Sequence, residues 1–464
     1  MSRGSLSADL NELMQEVNRL NPGSSLKLND SIVCTIYSRA EEITGGIVLR
    51  RGKPKFDWDK KLDDVITSRV FGFPSMLLLL AVIFWITVAG ANIPSEMMAT
   101  AFFWGQERLT ALLHWLHAPA WVNGFFVEGI YRCLAWVVSV MLPPMAIFFP
   151  CFTLLEDMGY LPRIAFNLDN LFKKAGTHGK QSLTMSMGFG CNAAGVIACR
   201  IIESPRERLI AMLTNNFVPC NGRFPTLIAL AGLLVMGMAT SLSASFIVVG
   251  VVLTGIMTTL VVSWLLSKTL LKGVPSSFTL ELPPYRKPQL GRIITRSIFD
   301  RTLFVLRRAV LVAAPAGAVI WLLANVHIGG VSILAHGANW LHPFGQLLGM
   351  DGYILMAFLL GLPANEIVIP ILLMSYMATG TMIELDSLEA LRQLFVAEHG
   401  WTWLTAVCMM LFSLLHYPCG TTLWTIFKES GSLKWTALAA LIPLGIAVIV
   451  CFVLAQSARL LGWV

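Results

Sequence analysis

The sequence predicts an all-α polytopic membrane protein, an inverted repeat of two halves that each hold a re-entrant or broken helical hairpin. Three observations predict it. The 464 residues are 56% hydrophobic and 13% charged, with a mean hydropathy of +0.69, whereas soluble domains carry about 25% charged residues. Long intervals contain no Asp, Glu, Lys or Arg: 70–95, 133–155, 224–267, 309–350, 399–427 and 435–458. Each reaches the ~20 residues that cross a bilayer core. Finally, Lys and Arg gather in alternate connectors, as orientation in a membrane requires.

The opening MSRGSLSADLNELMQEV carries charges and no apolar run, so no cleaved secretory signal is expected and residues 1–70 stay on the side of synthesis. The first span is expected at 70–95. The interval 224–267 is long enough for two helices, hinged near Met238 to Ser243. With the other intervals this gives about 7-8 transmembrane helices plus two hairpins. Residues 50–69, 157–208 and 268–308 hold seven, seven and nine Lys and Arg; 94–124 holds Arg108, 326–350 none and 380–400 Arg392. The positive-inside rule makes the first group cytoplasmic and the second external. The net charge of +7 therefore belongs to basic loops, and no nucleic-acid partner is expected.

Two stretches share their punctuation. VMLPPMAIFF (140–149), GFGCNAAGVI (188–197) and NNFVPCNGRFPT (215–226) are answered by LVAAPAGAVIW (311–321), GLPANEIVIP (361–370) and SLLHYPCGTTLW (413–424). Pro144 aligns with Pro315, Asn192 with Asn365, and Pro219-Cys220 with Pro418-Cys419. The charge map starts one repeat outside and the other inside, so the repeats are inverted, an architecture in which discontinuous helices build a midplane site. The segments around Gly188 and Gly361 are too interrupted for ordinary spans and read as hairpins. Their opened backbone is tolerable only where protein or a water-filled cavity satisfies it.

Nine cysteines without a CxxC pair argue against a zinc module or a disulfide framework. Cys133, Cys151, Cys408 and Cys451 lie in apolar runs and read as packing, as does Cys199; Cys34 has no assigned role. Cys191, Cys220 and Cys419 instead sit at breaks, and thiolates favour Fe(II), Zn(II) or Cu(I) over Mg(II) or Ca(II). Glu366 is the one charged residue between Asp351 and Glu384, and a carboxylate at membrane depth marks an ion or proton site by default. Asn192 and Asn365 offer carbonyl oxygens to a metal or cap a broken helix end. His416 is either a ligand or a satisfied core histidine. Because a carrier must release its cargo, partial coordination along a path is expected rather than a closed site. GTHGKQS (176–182) lacks the spacing and the Ser/Thr of a Walker A loop. With no nucleotide motif or hydrolytic triad in view, an enzyme is not expected.

LEDMGYLPRIAFNLDNLF (155–172), GKQSLTMSMGFGCN (179–192), RIIESPRERL (200–209), PCNGRFP (219–225), ELPPYRKP (281–288) and HYPCGTTLWTIFKESGSLKW (416–435) together resemble the membrane domain of the ferrous iron transport protein B family. FDWDKKLDDVITSRVFGFP (56–74) is similar to the segment joining that family's cytosolic part to its first membrane helix. The resemblance implies two gate domains, 128–270 and 303–464, joined by a cytosolic linker at 271–302. Ahead of them it implies a spacer at 1–70 and the first span with an outer connector at 71–127. It also implies Fe(II) as substrate, with no permanently bound cofactor, and a path lined by Cys191, Cys220 and Cys419; the mechanism expected here has Cys191 and Cys220 of one half handing metal to Cys419 and Glu366 of the other. Such members sit in the bacterial inner membrane, here with the N-terminus cytoplasmic.

Typical members begin with a GTP-binding domain. Only about seventy residues precede the first span here, so either a separate G protein or small accessory protein docks on the cytoplasmic face, or this member works without one, or its regulation was lost; homo-oligomerisation is left open. Two positions depart from the family pattern: Asn365 stands where a Lys precedes the Glu, and Ala193-Ala194 stands in place of Val-Pro. Alternatives are another divalent metal, an organic solute such as a nucleoside, or a non-transporting membrane sensor or assembly partner.

Overall fold

The computed structural model describes residues 25–47, 58–68, 71–235, 241–273, 285, 288–383 and 387–462. Among them, six helices are long and apolar enough to cross a membrane: Gly72–Trp115, Ala120–Asp157, Phe246–Lys268, Leu290–Asn325, Trp403–Ser430 and Leu433–Leu460. A seventh span arises if Ile333–Leu347 and Gly352–Leu360, which meet at 112°, are taken together. The protein is a multi-pass membrane protein.

The interval 224–267 gives two helices, as expected, and the first of them is described over Phe224–Val235. The second helix begins at Ser241; of the hinge expected at Met238 to Ser243, residues 238–240 lie outside the described residues. The outer connector expected at 94–124 is largely helix. Gly72–Trp115 runs 44 residues through Pro94, because the Ala-, Met- and Glu-rich sequence after the proline favours helix strongly enough to resume it.

The prolines at 143, 144, 150 and 315 do not break their helices either; they lie inside Arg132–Asp157 and Phe304–Asn325. Each of these helices is preceded by a π-helical stretch, Asn123–Tyr131 in the first half and Arg296–Leu303 in the second. The two stretches are offset by almost the same interval as the paired motifs, so the repeat extends into the helix winding itself. The two long helices cross at small residues. A Cβ on Gly129 would stand 2.8 Å from that of Trp321, and one on Gly317 would stand 2.6 Å from that of Cys133, the close approach that small residues permit between membrane helices.

At the face bearing the Lys- and Arg-rich connectors, one polar knot ties three segments. Arg163 donates to both carboxylate oxygens of Asp63 at 3.0 and 3.1 Å, and the Tyr285 hydroxyl donates to Asp63 at 2.8 Å. The Arg163 guanidinium stacks over the Tyr285 ring at 4.2 Å. Asp63 belongs to the short helix Trp58–Ile66, Arg163 to Tyr160–Lys174 and Tyr285 to the connector after Phe246–Lys268. Burial alone would raise the Asp63 carboxyl, but the hydrogen bonds from Arg163 and Tyr285 hold it below its ordinary range. Tyr285 is pushed up to about 12, by burial and then by its bond to Asp63. A depressed carboxyl gives stability that is present above its unfolded value and lost as pH falls through its folded value. The purified protein is therefore expected to lose thermal stability below about pH 4, and Asp63→Asn, already weaker at neutral pH, is expected to show a smaller acid step; an unchanged step would remove Asp63 from the explanation.

A cavity at four helix breaks

Four interruptions of regular helix converge on one point. The first hairpin is Lys180–Gly190, a single extended residue at Cys191, then Asn192–Ala198. The second is Gly352–Leu360, a turn, an extended Ala364, a short 3₁₀ turn Asn365–Ile367, then Val368–Met377. Cys191 has φ −156° and ψ 125°, and Ala364 has φ −152° and ψ 123°. The two asparagines that follow thus enter their helices from the same backbone conformation. The other breaks carry the Pro-Cys pairs. Residues 218–223 separate Asn215–Phe217 from Phe224–Val235, and residues 416–419 separate Trp403–Leu415 from Gly420–Ser430.

Backbone hydrogen bonds hold the breaks in pairs. The Asn221 amide donates to the Gly190 carbonyl at 3.4 Å, and the Gly420 amide donates to the Leu362 carbonyl at 2.6 Å. Groups released by one interruption are satisfied by its neighbour, as the membrane interior demands. Between them lies a cavity of about 30 Å³, lined by Cys191, Asn192, Cys220, Asn365, Glu366 and Cys419. All six residues expected from the sequence therefore meet at one site. Met141, Met145, Val305 and Ala309, from the two long proline-bearing helices, also line it. The volume suits about one water-sized particle. Among the described residues, no three Cys, His, Asp or Glu side chains are close enough to enclose a metal ion.

The individual donors differ. Glu366 is 9% exposed and its carboxylate packs on the backbone of Gly222, where a Cβ would collide with it. The Asn365 Oδ1 is buried with no hydrogen-bond partner, so its lone pairs remain available at the cavity. Asn192 behaves otherwise: with its amide turned so that nitrogen faces acceptors, it donates to the Gly188 and Val218 carbonyls at 3.1 and 3.3 Å, which is a capping role. Cys419 Sγ lies 3.2 Å from the Thr422 hydroxyl. His416 lies in the core and not at the cavity. Its Nδ1 is 2.9 Å from the Phe412 and Ser413 carbonyls, and its ring stacks on Phe412. Cys199 is buried and bonds the Gly195 carbonyl at 3.3 Å.

The sequence reading missed Gly222 and Arg223, which follow the Pro-Cys break. Gly222→Ala is expected to push the Glu366 carboxylate out of the cavity while leaving the fold intact, since the clash falls on a side-chain end. Any transport that depends on Glu366 should fall by about tenfold with little change in melting temperature; full activity would show that the carboxylate's position does not matter.

A second, larger cavity of about 600 Å³ opens on the basic face. It is lined by Glu156, Lys180, Ala194, Val305, Arg308 and Glu429 among others. Val305 belongs to both cavities. Across this mouth Arg200 donates to both carboxylate oxygens of Glu429, at 2.7 and 2.6 Å, and so ties the two halves together.

Two family models match this chain: "Gate: Nucleoside recognition" over residues 138–234 and 306–433, and "Ferrous iron transport protein B C terminus" over 248–300. The gate matches bracket all four breaks. A protein of Staphylococcus aureus named Fe(2+) transporter FeoB is 29% identical over 425 residues, covering 90% of this chain and 62% of that protein. The Methanocaldococcus jannaschii protein of the same name is 27% identical, covering 89% and 61%. A Porphyromonas gingivalis Fe(2+) transport protein A/Fe(2+) transporter FeoB fusion protein is 26% identical, covering 85% and 51%. No solved structure gives a significant match. The chain spans about three fifths of the length of the first two relatives. By the two family models and these relatives, the chain is similar, over its membrane part, to the ferrous iron transport protein B family.

Proposed function

We propose that this protein carries Fe(II) across the membrane through the cavity at the four breaks, with Cys191, Cys220, Cys419, Glu366 and Asn365 as successive partial ligands. One observation carries the reading: thiols, a carboxylate and an unpartnered amide oxygen from both halves line a space of about 30 Å³. Soft sulfur donors suit Fe(II) and other late divalent metals, and an incomplete coordination set lets cargo leave as well as enter. The names of the relatives, Fe(2+) transporters, support the same cargo. Asn192 serves in this reading as the cap that holds Cys191 extended.

The route continues past Val305 into the cavity on the basic face, which the positive-inside rule places in the cytoplasm. The membrane is then the bacterial inner membrane, with the N-terminal segment cytoplasmic and transport directed inward. The Porphyromonas relative is by name a fusion with an Fe(2+) transport protein A, which supports an accessory protein docking on that face. Any GTPase activity resides outside the residues described.

A nucleoside is the second cargo that the gate model's description raises. The cavity's size speaks against it, because pockets for organic ligands of that class run to about 300 Å³ and more. Thermal unfolding of the purified protein under anaerobic conditions separates the two. Fe(II) is expected to raise the melting temperature and nucleosides to leave it unchanged; the reverse pattern would overturn the iron reading.

A further inference from the structure

Arg223 is fully buried at the centre of the molecule, three residues after Cys220. Its guanidinium makes five hydrogen bonds. Nη1 donates to the Asn216 carbonyl at 2.7 Å and the Leu414 carbonyl at 2.9 Å. Nη2 donates to the Asn216 Oδ1 at 3.1 Å, the His416 carbonyl at 3.3 Å and the Tyr417 carbonyl at 3.2 Å. Every acceptor is neutral, and three of them belong to the other half.

Those three carbonyls are the loose end of Trp403–Leu415, where the helix stops ahead of Cys419. A cation at a helix C-terminus is favoured by the backbone dipoles, and a planar fork of donors fits several carbonyls at once in a way that Lys does not. Asn216 joins the same clamp by donating to the His416 carbonyl at 2.6 Å. Charge neutralisation is another matter, since no carboxylate is among the hydrogen-bond partners. The ionisable groups near enough to Arg223 to act on it electrostatically when charged are Cys220, Cys419 and Glu366, all of them in the cavity wall.

We propose that Arg223 is a positioning residue with a second effect: it fixes the second half's Pro-Cys break against the first half's, and its permanent charge weakens the hold on a bound divalent cation so that the cation can leave. The inference rests on the metal-path reading of the cavity. A site of thiols and a carboxylate without a nearby cation would become a sink, whereas conduction needs binding weak enough to reverse.

The test is anaerobic Fe(II) uptake by proteoliposomes containing the full chain, with half-saturating concentration and maximal rate measured separately and thermal unfolding as the check on folding. Arg223→Gln removes the charge and part of the fork; it is expected to lower the half-saturating concentration about tenfold, through the lost repulsion, and to lower the maximal rate. Arg223→Lys and Asn216→Ala keep the charge and trim the clamp; both are expected to hold wild-type half-saturation within about twofold and to lose maximal rate. A merely structural role would lower the amount of folded protein without this split. Half-saturation that is unchanged or raised in Arg223→Gln, or lowered equally in Arg223→Lys, overturns the charge effect. Should Arg223→Gln fail to fold, the other two variants decide: wild-type half-saturation with reduced rate supports the proposal, and any other pattern overturns it. A wild type that takes up no Fe(II) defeats the transport reading itself, whereas an active wild type with the wrong split defeats only the role of Arg223.

Discussion

Glu366→Gln is expected to reduce Fe(II) uptake by about 100-fold while leaving the melting temperature of the protein unchanged or slightly raised. The substitution preserves the shape of the side chain against Gly222 and removes only its charge. A carboxylate at this depth is costly to the fold, and a neutral amide in the same place is cheaper to bury. Stability and transport therefore move in different directions, which a general loss of folding cannot imitate. Initial rates in proteoliposomes, with melting curves of the same preparations, check both halves of the expectation. A variant that keeps more than half of the wild-type rate would exclude Glu366 as a ligand.

The second large effect is expected at the paired cysteines. Cys220→Ser and Cys419→Ser each replace a soft, ionisable sulfur with a harder hydroxyl that stays protonated, so each is expected to lose Fe(II) transport by about tenfold or more. The double variant should lose little beyond the worse single one, because ligands that act on one ion are not independent. Cys199→Ser is the control: that side chain is buried and bonds the Gly195 carbonyl, which a serine can also do, and transport should persist. Equal losses at all three positions would point to thiol packing in general and not to a path.

The breaks and their pairing were legible because Pro, Gly and Asn interrupt apolar runs that otherwise spell continuous helix. The equivalence of Asn192 and Asn365 came from spacing alone, and the matching backbone at Cys191 and Ala364 gives it a physical basis. Cys191, Cys220, Cys419 and Glu366 were legible for a related reason, since thiols and carboxylates are uncommon at broken membrane helices, and Asn192 and Asn365 through their matched places in the two repeats. Arg223 was not. Nothing local distinguishes an arginine that snorkels to a basic loop from one that reaches carbonyls almost two hundred positions away. Gly222 was missed for the same reason, as its need for a bare Cα depends on Glu366 arriving from the other half. Hydropathy also misplaced a helix end. It marks where a bilayer can be crossed and carries no signal that the helix through Pro94 continues to Trp115.

His416 illustrates the limit from the other side. Three residues from Cys419 it looked available to a metal, yet the chain turns its ring into Phe358, Phe412 and Tyr417. Sequence proximity to a ligand thus says little at a break, where consecutive residues point to different places.

Anaerobic uptake of Fe(II) into proteoliposomes containing the wild-type chain tests the central claim most directly, with Cys220→Ser and Glu366→Gln as paired preparations. Wild-type vesicles are expected to accumulate Fe(II) in their interior, and the two variants to take up little more than empty vesicles. Accumulation that is equal in all three, or absent from the wild type even with accessory proteins supplied, would contradict transport through the cavity at the four breaks.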